Sequence, residues 1–376
     1  MYLSMPFPIK GVEETSLEDS DPLKLAALLI KNKNYSRAQG VLSQIKDPHE
    51  VIPEKYWSLK GVLELRQKRF NKAEVSFKAA LKEGGGDGKE SQEVFLGLAE
   101  AYLGQKKYRE GIKLLIKKEK VTKVNPRHFQ LLSSLYFGKG EGENAWSVLH
   151  QGITKFPKFL PLMKQKWFYL VENNLLEVSF TVGKNLVDSY QLSALDVARM
   201  GQMYRQKNDY DKAIYFGEMA RLKDSKDEEI VKDLARSYLK KENISAAAQL
   251  FTTLSKHQPK FLVEASELWR KAGYPVYAER LVLEIRDPVK KMKQGITLAL
   301  FNEDFNKMAL LGKRAQRTSL KQNQDIQYAL AYANFMLGNY SSVNEYLKYI
   351  QREDLFKKVV ALREAIESCQ GDTICL

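Results

Sequence analysis

Residues 197–220 are VARMGQMYRQKNDYDKAIYFGEMA, and residues 231–254 are VKDLARSYLKKENISAAAQLFTTL. Both stretches contain a small residue, Gly201 or Ala235, that is followed three positions later by a tyrosine such as Tyr204. A small residue on one helix allows a second helix to approach closely, and a large side chain one turn later fills the gap between neighbouring units. The pattern therefore predicts pairs of antiparallel helices that pack into a stack.

The repeat extends over nearly the whole chain of 376 residues. Aligned on one position in the second half of each unit, successive separations are 35, 38, 34, 34, 34, 34, 31, 30 and 35 residues. The residues at this position are Ala38, Ala73, Gly111, Ala145, Ser179, Ala213, Ala247, Ala278, Met308 and Val343. A period in this range indicates stacked repeats, each of which buries its faces only against its neighbours, rather than independent domains.

The identity of the repeating residues resembles the tetratricopeptide repeat. Trp57 and Gly61 supply the bulky and small residues of a first helix, while Ala73, Phe77 and Ala80 supply the pattern of a second helix. The resemblance implies an all-α fold, a helix-turn-helix solenoid that winds as a right-handed superhelix. It covers about residues 19–350 and implies about ten repeats with a C-terminal capping helix.

Two units depart from this pattern. The unit from Leu160 has Lys166-Trp167, and the unit from Val289 has Gly295-Ile296, where a leucine followed by glycine or alanine is expected. The 38-residue separation coincides with a glycine-rich segment, residues 83–88, which predicts an inserted loop. The predicted segments are a flexible arm (1–18), an N-terminal subarray (19–159), a divergent repeat or subarray junction (160–193), a C-terminal subarray (194–352), a capping helix (353–368) and a tail (369–376).

The capping helix is predicted from an apolar stripe along its length. The stripe comprises Leu355, Phe356, Val359, Val360, Leu362 and Ile366. The chain has only two cysteines, Cys369 and Cys375, too few for a disulfide framework. An exposed tail is the favoured interpretation of these cysteines, and a reversible bridge between them or an intermolecular thiol is the alternative.

Composition excludes several classes of protein. Lys+Arg number 60 and Asp+Glu 46, giving a net charge of +14, and no apolar stretch approaches the roughly 20 residues of a membrane-spanning helix. The N-terminus lacks the basic and apolar regions of a secretory signal, so we expect a cytoplasmic protein without a membrane span. Phosphate-binding loops, zinc-ligand spacings and nucleophile motifs are also missing from the sequence. We therefore expect no catalytic residues, no metal, no cofactor and no enzyme activity.

In tetratricopeptide proteins the first helices line a concave groove, and the resemblance implies the same here. The implied groove residues are Gln202, Arg205, Lys232, Arg236, Lys240 and Arg270. Lys232 and Arg236 are four residues apart on one helix face, so together they are suited to a carboxylate or an acidic peptide. The alternative is an ordinary solvated face that Glu228, Glu229 and Asp233 neutralise.

A second candidate surface is aromatic. Tyr328 and Tyr332 share one face of the last repeat's first helix with Phe335 and Met336. Aromatic and methionine side chains commonly anchor protein interfaces. The alternative is that the capping helix covers these residues as part of the core.

Positive charge concentrates in residues 101–170, with 14 cations and 4 anions, and in residues 290–321, with 8 and 2. The favoured function is a non-enzymatic adaptor or scaffold that binds a peptide or folded protein, acidic partners included, through the groove or a basic flank. The resemblance implies partners in assemblies such as secretion, pilus, motility or signalling machinery and does not choose among them. RNA binding by the two basic blocks is the less favoured alternative, because no repeated pair of base-reading side chains occurs.

Overall fold

The computed structural model describes residues 21–84 and 91–371. The chain separates into two compact units, unit 1 up to Tyr169 and unit 2 from Leu170. This boundary falls within the predicted junction at 160–193. The predicted arm (1–18), residues 85–88 of the predicted glycine-rich loop and Cys375 lie outside the described residues.

Helices make up both units, and the prediction of an all-α repeat fold is confirmed for the described residues. In the first half of the chain the helices are α1 (Pro22–Lys31), α2 (Tyr35–Gln44), α3 (Pro53–Arg66), α4 (Phe70–Glu83), α5 (Ser91–Gly104), α6 (Tyr108–Lys117), α7 (Glu119–Thr122), α8 (Pro126–Lys139), α9 (Gly142–Lys155), α10 (Leu160–Glu172) and α11 (Leu176–Ser189).

The remaining helices are α12 (Ala194–Gln206), α13 (Tyr210–Lys223), α14 (Glu228–Lys240), α15 (Ile244–Ser255), α16 (Leu262–Lys271), α17 (Pro275–Glu284), α18 (Pro288–Phe301), α19 (Phe305–Ala315), α20 (Gln324–Met336), α21 (Tyr340–Leu347) and α22 (Glu353–Gly371). Three short 3₁₀ helices occupy Pro48–Glu50, Pro259–Phe261 and Ser319–Gln322. With α7 and α22 set aside, the other twenty helices of the described residues form ten consecutive pairs, which we number 1 to 10 in chain order.

The turn inside every pair has the same backbone conformation. One residue, always two positions before the second helix begins, has a positive φ between 54° and 88°. These residues are Lys33, Lys68, Lys106, Gly140, Asn174, Asn208, Glu242, Gly273, Glu303 and Gly338. Their separations equal those of the ten aligned residues in the sequence, so the predicted register is confirmed in all ten pairs, including the divergent ones.

Close packing inside and between pairs uses glycine as predicted. Phe77 on α4 is buried between Gly61 on α3 and Gly97 on α5. A Cβ atom at Gly61 would lie 2.7 Å from the Phe77 ring, and one at Gly97 would lie 2.5 Å from it. Neither glycine can therefore become a larger residue without displacing this ring, since such distances are shorter than van der Waals contact.

The last helix, α22, packs on pair 10 within unit 2. Its residues Leu355, Val359, Leu362 and Ile366 are buried, as the predicted stripe requires. Phe356 and Val360 are exposed, the first by 65%, so the prediction that they belong to the buried stripe is wrong. They directly follow buried residues of the stripe, and a step of one residue turns a side chain about 100° around the helix axis.

The helix also continues beyond its predicted end at 368, to Gly371. Cys369 is therefore helical and half-buried rather than part of an exposed tail.

Candidate functional site

The predicted groove residues lie on the first helices of pairs 6 to 8, all in unit 2. Arg205, Lys232 and Arg270 are half-buried, and their charged groups contact carboxylates of the same unit. Gln202 and Lys240 are exposed. We refer to the exposed side of the first helices as the first-helix face.

Arg205 and Arg236 share one carboxylate. The Arg205 Nη2 donates to Asp233 Oδ1 at 3.0 Å, and the Arg236 Nη1 donates to the same oxygen at 2.7 Å. The first contact joins α12 to α14, whereas the second lies within α14. Because a single carboxylate receives both guanidinium groups, Arg205 and Arg236 are already neutralised in part by the chain itself.

Lys232 is held in the same way by Glu228. The Lys232 ammonium donates to one oxygen of this carboxylate, and Lys260 donates to the other at 2.5 Å. These two hydrogen bonds hold the pKa of the Glu228 carboxyl below its usual range. Both ammonium groups also lie over the Phe261 ring, at 5.6 and 4.8 Å from its centre.

Arg270 completes the row with a two-point contact to Glu267. Its Nε and Nη2 donate to the two carboxylate oxygens at 3.0 and 2.7 Å, and this contact lowers the pKa of Glu267. The predicted basic strip is therefore a row in which cations and carboxylates alternate. A ligand carboxylate at Lys232 or Arg236 would have to share these cations with carboxylates of the chain, and binding at these residues stays a prediction.

The predicted aromatic surface packs in part against the chain itself. Tyr328 and Tyr332 are half-buried and pack against the cluster that contains Val359 and Leu362 of α22. Burial raises the pKa of the Tyr328 hydroxyl, and the Lys358 ammonium lies 5.9 Å from the centre of its ring. The capping helix thus contributes to the packing of this face, and partner binding at Tyr328 and Tyr332 stays a prediction.

Unit 1 contains a concave site that sequence reasoning missed. A cavity of about 490 Å³ lies on the first-helix face among α3, α5 and α8. Val62, Leu65 and Val94 give it an apolar floor, and charged side chains surround this floor. We call this cavity the unit 1 groove.

Charges of both signs line the groove. Arg127 donates to Glu93 at 2.7 Å and to Glu100 at 2.8 Å, so it joins α8 to α5. Arg66 approaches the second oxygen of Glu100 at 3.6 Å, and Lys55 is exposed at the edge. These contacts position the Arg127 side chain before any partner arrives, whereas the Arg66 side chain is 48% exposed.

A weak signal for this groove is present in the sequence. Lys55, Glu93 and Arg127 occupy the same position in three consecutive first helices, each at the same distance from the start of the following second helix. Alternating charges at one repeat position favour ion pairs between neighbouring helices. The signal becomes visible only once the register of the repeats is fixed.

Two buried pairs of polar groups elsewhere in unit 1 are hydrogen-bonded to each other. The Thr122 hydroxyl lies 2.8 Å from Nδ1 of His128, and burial lowers the pKa of this imidazole to about 4. The Ser76 hydroxyl donates to the buried Glu64 carboxylate at 2.7 Å. Such pairs support packing, since a buried polar group without a partner is costly.

No cluster of three or more histidine, cysteine, aspartate or glutamate side chains suited to a metal occurs in residues 21–84 and 91–371. Within the same ranges, none of the helices has both the length and the apolar character needed to cross a membrane.

Comparisons with known proteins give structural similarities only. No protein-family model matches the chain, and no curated protein matches it in sequence. A human IFIT1 dimer with PPP-AAAA is 15% identical over 86% of this chain and 80% of that one, with a TM-score of 0.39. PilW, a type IV pilus biogenesis factor, is 14% identical over 63% and 92% of the two chains, with a TM-score of 0.36.

TTC0263, a thermophilic tetratricopeptide repeat protein of Thermus thermophilus, is 20% identical over 57% of this chain and 98% of that one, with a TM-score of 0.30. The chain has the tetratricopeptide-type helical-repeat fold that its sequence predicted. Its ten helix pairs, each with the same turn, are the basis of that assignment.

Proposed function

We propose that the chain is a non-enzymatic adaptor that binds an extended segment of a protein partner in the unit 1 groove. The observation that supports this proposal is the cavity of about 490 Å³ itself, which combines an apolar floor with a charged edge. Binding sites for peptides commonly pair an apolar pocket, which supplies affinity, with a few polar groups, which fix orientation.

The groove is suited to binding without rearrangement. Its floor belongs to helices that pack through Phe77, and Arg127 is held by Glu93 and Glu100. A partner that binds a preformed surface loses less conformational freedom than one that must order it. Because the edge carries both signs of charge, we expect the bound segment to contain an apolar anchor flanked by charges of both signs.

The test is selection from a library of short random peptides displayed on phage, with the full chain as bait. Peptides that the wild-type chain enriches are then measured by fluorescence anisotropy against Val62→Glu, which puts a charge on the apolar floor. We expect their Kd to rise about tenfold or more, because the peptide loses an apolar contact and the new carboxylate loses its water when the peptide covers it.

Val75→Glu is the matched control. Val75 lies on α4, is 65% exposed and does not line the groove. We expect it to leave the Kd unchanged, and circular dichroism must show that both variants remain helical. If the selection yields no peptide whose affinity depends on Val62, the proposed function is wrong.

RNA binding is the second candidate, and one observation favours it. Arg109, Lys113 and Lys117 are exposed at intervals of four residues, so they form a row along α6. Such a row spans about 12 Å and places three positive charges where they can contact phosphates. This candidate requires binding of single-stranded RNA that weakens steeply with salt and that Arg109→Glu with Lys113→Glu abolishes. RNA binding that survives this double substitution would show that the row on α6 is not the binding site.

A further inference from the structure

Unit 2 contains a second cavity, which lies away from the first-helix face. It encloses about 320 Å³ between α17 of pair 8 and the two helices of pair 9, α18 and α19. Val282, Leu283, Met292, Leu298 and Leu311 supply most of its walls. We call this cavity the pair 9 cleft.

Beside the cleft, pair 9 lacks a large side chain that five of the other pairs have. In pairs 3, 4, 6, 7 and 10 the residue ten positions before the second helix is large and buried. These residues are Leu98, Leu132, Met200, Leu234 and Leu330. Leu234 and Leu330 pack on Gly217 and Gly312, respectively, which belong to the second helix of the preceding pair.

Pair 9 has Gly295 at this position, and the α17 residue that corresponds to Gly217 and Gly312 is Val282, which lines the cleft. A Cβ atom at Gly295 would approach only the Leu311 side chain, at an ordinary 3.4 Å. The glycine is therefore not required by close packing, unlike Gly61 or Gly97. A glycine inside a helix costs about 1 kcal/mol relative to alanine, so this position loses stability and leaves an apolar space open.

Cations surround the opening of the cleft. Lys291, Lys307 and Arg314 line it, together with one carboxylate, Glu279, which contacts Lys307 at 2.9 Å. Lys291 donates to the carbonyl oxygen of Leu283 at 2.6 Å. The surrounding block, residues 290–321, has eight cations and two anions. An anionic occupant is therefore favoured over a cationic one.

We propose that the pair 9 cleft binds an acidic segment of a partner protein, which inserts one aliphatic or aromatic side chain where Gly295 leaves space. The apolar walls take the inserted side chain, and the cations at the opening contact the acidic residues beside it. This site is separate in sequence and in residues from the unit 1 groove, so the chain would bind two segments.

The probe is a fluorescein-labelled nonapeptide of Glu, Asp and Ser residues with one central Leu. We expect saturable binding by fluorescence anisotropy to the full chain, about tenfold weaker binding when the central residue is Ala, and no saturable binding when Lys replaces the acidic residues. Gly295→Leu fills the cleft from within, and we expect it to weaken the Leu peptide about tenfold or more.

Two further variants separate the proposal from damage to the fold. Gly295→Leu restores the residue found in other pairs, so its melting temperature should equal or exceed that of the wild type. Gly40→Leu is the matched control, because Gly40 lies on α2 with no atom within 4 Å of its added Cβ. We expect it to leave peptide binding unchanged. Arg314→Glu should weaken the acidic peptide several-fold and reduce the dependence of its Kd on salt.

Several results would overturn the proposal. They are equal affinity for the Leu and Ala peptides, no saturable binding of the Leu peptide, and an affinity that Gly295→Leu does not change. A fluorescent fatty acid serves as the competing probe. If it binds in a manner that depends on Gly295 while the peptides do not bind, the occupant is a small amphiphile and the proposal is wrong. The unit 1 groove is unaffected by either outcome, since Val62→Glu tests it separately.

Discussion

Pairs 6 and 9 have the same turn but opposite arrangements of large and small residues. Pair 6 has Met200 followed by Gly201, whereas pair 9 has Gly295 followed by Ile296. Met200 and Ile296 are both buried, so each pair places one large side chain inside. The difference is where that side chain lies.

In pair 6 the two helices meet at backbone distance. A Cβ atom at Gly201 would lie 2.9 Å from the carbonyl oxygen of Ala213 on α13. In pair 9 the corresponding residues are Ile296 and Met308, both fully buried between the helices. Pair 9 therefore fills the space within the pair and leaves space beside it. The repeat keeps its turn and its helices, but the large buried side chain of pair 9 lies between the two helices of the pair. The position beside it, Gly295, is left without a side chain at the pair 9 cleft.

The largest expected effect is from Ile296→Ala. If Ile296 fills pair 9 as we infer, its truncation leaves a cavity and lowers the free energy of unfolding by about 3 kcal/mol. Urea denaturation followed by circular dichroism measures this change. Leu222→Ala is the control, because Leu222 is 73% exposed, and it should cost less than about 0.5 kcal/mol. An equal loss in both variants would contradict the assignment of Ile296 to the core of pair 9.

The same substitution at the two glycines should have opposite effects. Gly201→Ala forces a methyl group against the backbone of α13, and we expect a loss of about 2 kcal/mol. Gly295→Ala adds a methyl group where space exists and improves helix propensity, so we expect a gain of about 0.5 to 1 kcal/mol. The melting temperatures of the two variants, compared with that of the wild type, measure these opposite changes in stability. A loss at Gly295 as large as that at Gly201 would mean that the cleft is not available space.

The smallest expected effect is from substitutions in the turn, whose backbone conformation pairs 6 and 9 share. Asn208 and Glu303 both have positive φ, 62° and 54°, in the turns of pairs 6 and 9. Asparagine tolerates this conformation better than glutamate, so Glu303→Gly should stabilise by about 0.5 kcal/mol and Asn208→Gly should give no gain. Paired urea titrations are sufficient to resolve this difference. A gain at Asn208 that matches the gain at Glu303 would contradict the explanation.

Most of the fold was predictable because the repeat fixes it. The spacing of residues such as Ala213 and Ala247 located all ten turns, even in pair 9, where Met308 replaces the small residue. The end of α22 was less predictable. Its helix continues through Cys369 to Gly371, because helix ends depend on local contacts that a periodic pattern does not contain.

The candidate sites were less accessible to sequence reasoning. The sequence located Lys232 and Arg236 on a first helix and named Glu228 and Asp233 as carboxylates that would neutralise them, which the structure shows. It did not show that Lys260 and Arg205, from neighbouring helices, contact the same two carboxylates. Ion pairs depend on side-chain conformation and on neighbouring helices, neither of which follows from spacing alone. The unit 1 groove was missed for a related reason, since its floor and its charges come from three different helices.

Phe77 has a consequence for the dynamics of unit 1. Its ring contacts Gly61 in its own pair and Gly97 in the next pair, so opening either contact exposes the same side chain. Pairs 2 and 3 should therefore open together as one cooperative unit. Native-state hydrogen exchange would then give the amides of α3 and α5 a common opening free energy. The floor of the unit 1 groove lies on these two helices, so it would persist or be lost as a whole.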